Sequence, residues 1–103
     1  MIQEITKQTD IDQLFSQYKN VLIDFYASWC GPCKMMSLEI DKINDKHHDL
    51  LILKINIDNY PKLAEKYLIQ SIPTIIYVVD AKEKSRIIGY QPVSIIEKLI
   101  SKE

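Results

Sequence analysis

The chain has two cysteines, Cys30 and Cys33, and both lie in the run WCGPC at residues 29–33. A disulfide between them closes a very small ring and staples little of the chain. Reducing compartments disfavour structural disulfides in any case. The pair therefore reads as redox or metal chemistry. A reactive cysteine works as the thiolate and needs a depressed pKa. A strand running into a helix start supplies one, because unpaired N–H groups and the positive end of the helix dipole face Cys30 there. Gly31 and Pro32 fit a tight turn, and Cys33 returns one turn along, close enough to resolve a mixed disulfide. A zinc half-site is the competing reading, and it requires two more ligands. The two histidines, His47 and His48, are adjacent in sequence and do not fit zinc spacing. They read as solvent-facing loop residues, and no metal site is expected.

Two charged residues interrupt apolar segments. Asp24 lies within VLIDFYA, residues 21–27, and Lys54 within LILKINI, residues 51–57. Burial should raise the pKa of Asp24, since the ionised form is poorly solvated. Lys54 either pairs with it from an adjacent strand or snorkels to the sheet edge.

The elements that must position these groups follow from hydrophobic period. Residues 2–6 read as a short strand. Thr9 or Asp10 caps a helix carrying Ile11, Leu14, Phe15 and Tyr18. Residues 21–27 read as a strand covered on both faces. A helix is predicted from Cys33 to Asp45, with Met36, Ile40 and Ile43 on one face. Residues 51–57 form the next strand, and Asp58 or Asn59 caps a short helix with Pro61 near its start. A strand follows at Thr74–Val79, then a polar turn at Asp80–Lys84 and a strand at Ser85–Tyr90. Ser94 and Glu97 fit a capping box for a last helix. The order β-α-β-α-β-α-β-β-α predicts an α/β fold with helices on both faces of one sheet.

At 103 residues the chain reads as a single domain, residues 1–103. Its composition is 47% apolar and 26% charged, with a formal net charge of −1. No basic block points to nucleic acid, and no apolar run approaches membrane-spanning length. The opening MIQEITKQTD lacks the pattern of a secretory leader. A cytoplasmic protein is the expectation.

WCGPCK resembles the active-site motif of the thioredoxin family. VLIDFYASWCGPCKMM, KINID at residues 54–58, SIPT at residues 71–74 and Gly89 fall in thioredoxin-like order. The resemblance implies a thioredoxin fold, with a central mixed β-sheet flanked by helices on both faces. It implies a protein-disulfide reductase in which Cys30 attacks and Cys33 resolves. No cofactor would be bound: the Cys30–Cys33 disulfide is the redox group, recharged from NADPH through a thioredoxin reductase. The implied partners are that reductase and disulfide-containing proteins, with no nucleic acid or membrane, and the implied state is a monomer. Asp24 is assigned to assist proton transfer at Cys33 through a water. Pro73 is assigned as a cis-proline facing the site, turning the Ile72 backbone toward an extended substrate. Gly31, Pro32 and Lys54 support the centre, and Trp29, Ile72, Ile88 and Gly89 form an apolar substrate rim.

The chain departs from the family pattern in several places. Tyr26 replaces an aromatic of another kind. Leu38 replaces a helix-kinking proline. Leu68, Ser71 and Ala81 replace glycines, and Tyr90 is bulkier than usual and narrows the expected groove. Two alternatives stay open: a thioredoxin-like binding subunit, and a specialised thiol oxidoreductase with a narrow partner. A glutaredoxin fits less well, because the residues between the cysteines do not match.

Overall fold

The computed structural model describes residues 1–101. Among them are strands β1 (Ile2–Glu4), β2 (Asn20–Tyr26), β3 (Leu51–Asn56), β4 (Thr74–Val79) and β5 (Lys82–Ile88). The helices are α1 (Ile11–Gln17), α2 (Gly31–Lys46), α3 (Pro61–Lys66) and α4 (Val93–Ile100). The strands form one mixed sheet in the order β1-β3-β2-β4-β5. β1 and β2 run parallel to β3, whereas β4 is antiparallel to both β2 and β5. The α/β expectation, with a mixed sheet closed by an antiparallel hairpin, is borne out.

β2 is central, and Val21 to Phe25 are all buried. Side chains alternate across a strand, so its residues divide between two cores. Leu22 joins Ile52, Ile75 and Tyr77 under Met36, Ile40, Ile43 and Ile96 of α2 and α4. Val21, Ile23 and Phe25 join Leu51, Leu53, Ile55, Ile76 and Val78 on the other face. Leu14 and Phe15 of α1 and Leu63 of α3 pack there. The face of α2 read from the sequence is the one that meets the sheet.

Several helix ends differ from the sequence reading. Asp10 does cap α1, accepting the N–H of Gln13 at 3.0 Å. Tyr60, not Asp58 or Asn59, occupies the N-cap of α3, and no side-chain bond is made there. Ser94 lies inside α4, whose N-cap is Pro92. The open N–H of Val93 is satisfied from a distance: Glu39 of α2 accepts it through Oε1 at 2.9 Å. That bond holds the Glu39 carboxyl below its usual pKa. α2 starts two residues earlier than expected and ends at Lys46. His47 is its C-cap residue and is half-buried, with Nε2 3.4 Å from Glu97 Oε2. It is therefore not a free loop residue, whereas His48 is exposed as expected.

The hairpin turn is also tighter than predicted. β4 and β5 pair from Val79 to Lys82, leaving Asp80 and Ala81 as the connection. Their φ values are +50° and +66°, the left-handed geometry that two-residue hairpins require. Leu68, just beyond α3, has φ +56° and is 76% exposed. A residue with a Cβ is strained in this region by about 1–2 kcal/mol, and glycine escapes that strain. Neither side chain is needed for packing at these exposed positions. Ala81→Gly and Leu68→Gly should each raise stability in urea melts by about 0.5–1 kcal/mol, after the entropy glycine adds to the unfolded chain. Glu39→Ala should destabilise most at neutral pH. That loss should shrink as pH falls through the depressed Glu39 pKa, where the carboxylate protonates and the wild-type advantage disappears.

Candidate active site

β2 ends at Tyr26, and the chain turns through residues 27–30 into α2. Cys30 is the N-cap of α2, with extended backbone at φ −94° and ψ 113°. Its Sγ accepts the backbone N–H of Cys33 at 3.1 Å. Gly31 and Pro32 take the first helical positions, where a missing proline N–H costs nothing. The two sulfurs are joined in a disulfide across a Cα–Cα separation of 5.2 Å. Both cysteines are buried against Ala27, Tyr26, Ile57 and Ile72. Gly31 is not needed for the turn geometry: its φ is not positive, and a Cβ built there meets nothing within 4 Å. What glycine leaves is open space beside the disulfide.

The Ile72–Pro73 peptide bond is cis. Thr74 closes the turn, its hydroxyl donating to the Ser71 carbonyl at 2.6 Å. Ser71 has no left-handed backbone, so the glycine it replaces is not required by φ. Gly89, at φ +90°, donates its N–H to the Pro73 carbonyl at 2.8 Å. Ile88 pairs in register with Thr74 and is 63% exposed. Ile72, Pro73, Ile88 and Gly89 thus form one corner, and Ile72 carries it onto the cysteines. Trp29 is 69% exposed and precedes Cys30 directly. Tyr90 is half-buried and packs against the core under α2 and α4.

Sequence reasoning missed Asp58 as part of this region. Its Oδ2 accepts the indole N–H of Trp29 at 2.8 Å, and its own N–H is bonded to Asn56 Oδ1 at 3.0 Å. An acidic residue closing KINID was the available signal, and it was read as a helix cap.

Asp24 and Lys54 face each other in register on β2 and β3. Asp24 is 1% exposed, and neither carboxylate oxygen has a hydrogen-bond partner among the described residues. Lys54 Nζ lies 3.9 Å from Oδ2. Burial raises the Asp24 pKa from 3.8 to about 7, against the pull of Lys54 and with a further push from Glu4. Lys54 also bonds Ser37 Oγ at 2.9 Å and stands 5.2 Å from the Tyr26 ring centre. The Tyr26 hydroxyl donates to Glu4 Oε2 at 2.6 Å. Ser37 and Glu4 were not read as site residues. Ser37 lies four residues beyond Cys33, a helical neighbour of it, and that spacing was the legible signal. Among the described residues no group of three or more His, Cys, Asp or Glu side chains converges as a metal site. Among the described residues no helix is long and apolar enough to cross a membrane.

A two-cysteine helix start beside a cis-proline can be compared with known proteins. The thioredoxin family profile matches residues 2–102. The chain belongs to the thioredoxin family. It is 41% identical over 92 residues to the thioredoxin of Mycoplasma genitalium, covering 89% of this chain and 90% of that protein. It is 40% identical over 102 residues to the thioredoxin of Chlamydia trachomatis, covering 99% and 98%. Among solved structures it resembles oxidised mitochondrial thioredoxin 3 of Saccharomyces cerevisiae. The TM-score is 0.87 at 31% identity, over 97% of this chain and 94% of that one. A mutant thioredoxin of Halobacterium salinarum superposes with a TM-score of 0.89 at 30% identity, over 97% and 88%. This thioredoxin is a thiol–disulfide oxidoreductase, and the Cys30–Cys33 bond is its redox-active disulfide. A purely non-enzymatic binding role is not favoured.

The buried carboxyl has a stability consequence. The folded pKa of Asp24 lies above its ordinary value, so between about pH 4 and pH 7 the folded protein keeps a proton that the unfolded chain releases. The penalty is absent below that window and complete above it. At about 1.4 kcal/mol per pH unit, Asp24→Ala should stabilise the oxidised protein by about 2–4 kcal/mol at pH 8. Denaturant melts across the range should show that gain vanish near pH 4.

Proposed function

We propose that this thioredoxin reduces protein disulfides by two successive exchanges, with Cys30 as nucleophile and Cys33 as resolving thiol. The observation that carries the assignment is the helix start. The Cys30 sulfur caps α2 and already receives the Cys33 N–H, an arrangement that favours negative charge on that sulfur.

Cys30 thiolate attacks one sulfur of a substrate disulfide. A Cys30–substrate disulfide forms, and the other substrate sulfur leaves as thiolate and takes a proton. Cys33 then loses its proton and attacks Cys30 Sγ. The intramolecular disulfide forms, and the second substrate sulfur leaves and is protonated. Two electrons have passed from the dithiol to the substrate. The dithiol is restored by the reduced dithiol of a thioredoxin reductase, which draws its electrons from NADPH.

Asp24 serves as the proton acceptor for Cys33, through a water. A carboxyl with its pKa near 7 suits that task, because it takes and returns a proton at neutral pH. Lys54 sets how readily Asp24 does so. Trp29, Ile72, Ile88 and Gly89 form the apolar rim that receives the substrate, and cis-Pro73 turns the Ile72 backbone toward an extended segment for strand-like pairing. Gly31 and Pro32 leave the approach to the sulfurs uncrowded. We read the chain as one domain acting as a monomer in the cytoplasm, carrying electrons to many protein disulfides and so maintaining cellular redox balance.

Cys30→Ser should abolish reduction of insulin disulfides by the protein. Cys33→Ser should instead accumulate a mixed disulfide with substrate, visible on a non-reducing gel and released by dithiothreitol. Equilibration against dithiothreitol buffers should give a midpoint near about −270 mV. A value near about −120 to −180 mV would assign the protein to oxidative or isomerising exchange instead.

A further inference from the structure

Two groups compete for one ammonium. Lys54 Nζ is 2.9 Å from Ser37 Oγ and 3.9 Å from Asp24 Oδ2. The first distance is a hydrogen bond, and the second is an ion pair without one. Lys54 is largely covered, with its side chain 18% exposed, so its position is set by its neighbours. The Tyr26 ring, 5.2 Å from Nζ, adds a cation–π contact. That ring is tethered by its hydroxyl to Glu4. The hydroxyl on α2 thus takes the direct bond, and the carboxylate on β2 is left without any.

The groups facing Asp24 can be named element by element. β3 presents Lys54, the register partner of Asp24. β1 presents Glu4, the register partner of Lys54, and β2 itself presents Tyr26 two residues on. β4 presents Ile75 opposite Asp24, which carries no charge. α2 brings Ser37, whose hydroxyl accepts from the Lys54 ammonium. Among these, Lys54 is the cation, and the bond to Ser37 fixes how close it comes.

We propose that Ser37 is a positioning residue for disulfide exchange: its hydroxyl holds the Lys54 ammonium off the Asp24 carboxylate, leaving Asp24 able to take and release a proton. The inference rests on the reading of Asp24 as proton acceptor for Cys33. A charge-assisted hydrogen bond from Lys54 would favour the ionised carboxylate much more strongly than the present contact. Asp24 would then hold a proton poorly. The serine on the helix that carries the second sulfur prevents this.

The test is Ser37→Ala, which removes one oxygen and places a good helix former in α2. Without the hydroxyl, Lys54 closes on Asp24. The titration midpoint of the Asp24 carboxyl, followed by its ¹³C shift in the oxidised protein, should fall from about 7 by roughly one unit. The pH profile of disulfide reduction should move down with it. In a Lys54→Met background, Ser37→Ala should leave the midpoint where the single Lys54 variant puts it. An unmoved Asp24 midpoint in Ser37→Ala overturns the hold of Ser37 on Lys54. A midpoint that falls while the rate profile stays overturns the proton role of Asp24 itself, and with it the part of Ser37 in exchange.

Discussion

Strand β2 runs through the middle of the sheet with helices over both faces, and its backbone groups find their partners in β3 and β4. A strand enclosed in this way solvates a charge poorly. Asp24 sits in it nonetheless, and the shape of the site follows from how that carboxyl is accommodated. Desolvation sets the direction, and Lys54 from the neighbouring strand offsets part of it. Among the described residues the buried carboxyl has no hydrogen-bond partner, which is costly in general, and a carboxyl with so perturbed a pKa is characteristic of functional positions.

The same strand delivers the chain to the start of α2. There the electrostatics are reversed. The Cys33 N–H is donated to the Cys30 sulfur, while the carboxyl on β2 sits on the sheet face that α2 covers. Negative charge is favoured at one sulfur, and a carboxyl with a raised pKa lies on the strand that leads to it. The Ile72–Pro73 corner closes the other side, held to β5 through Gly89. Three segments far apart in sequence therefore meet around one disulfide, and none of them forms the site alone.

Strain is distributed away from this centre. Among the described residues, those with Cβ atoms in left-handed backbone are Leu68, Asp80 and Ala81, at the end of α3 and in the β4–β5 turn. Where glycine is required near the site, at Gly89, glycine is present. Ser71 shows that a departure from the family pattern need not cost anything, because its backbone is not left-handed. Leu68 and Ala81 show the opposite case, and the difference between them is φ, which residue type alone does not reveal.

The sequence by itself determined the elements and the redox pair. Apolar runs of strand length and helical period depend on local patterning, so β2, β3, β4 and the inward face of α2 were legible. WCGPC was legible as redox chemistry because the two histidines do not fit zinc spacing and the run resembles the family's active-site motif. Asp24 stood out as a charge in an apolar strand. Tertiary structure decided the partners. Glu39 caps α4 from another helix, His47 is tied to Glu97, Asp58 holds the Trp29 indole, and Ser37 takes the Lys54 ammonium. Each of these bonds joins residues distant in sequence or on separate elements. Local propensity cannot foresee them, because a polar side chain takes its partner from whatever the fold brings within hydrogen-bond reach.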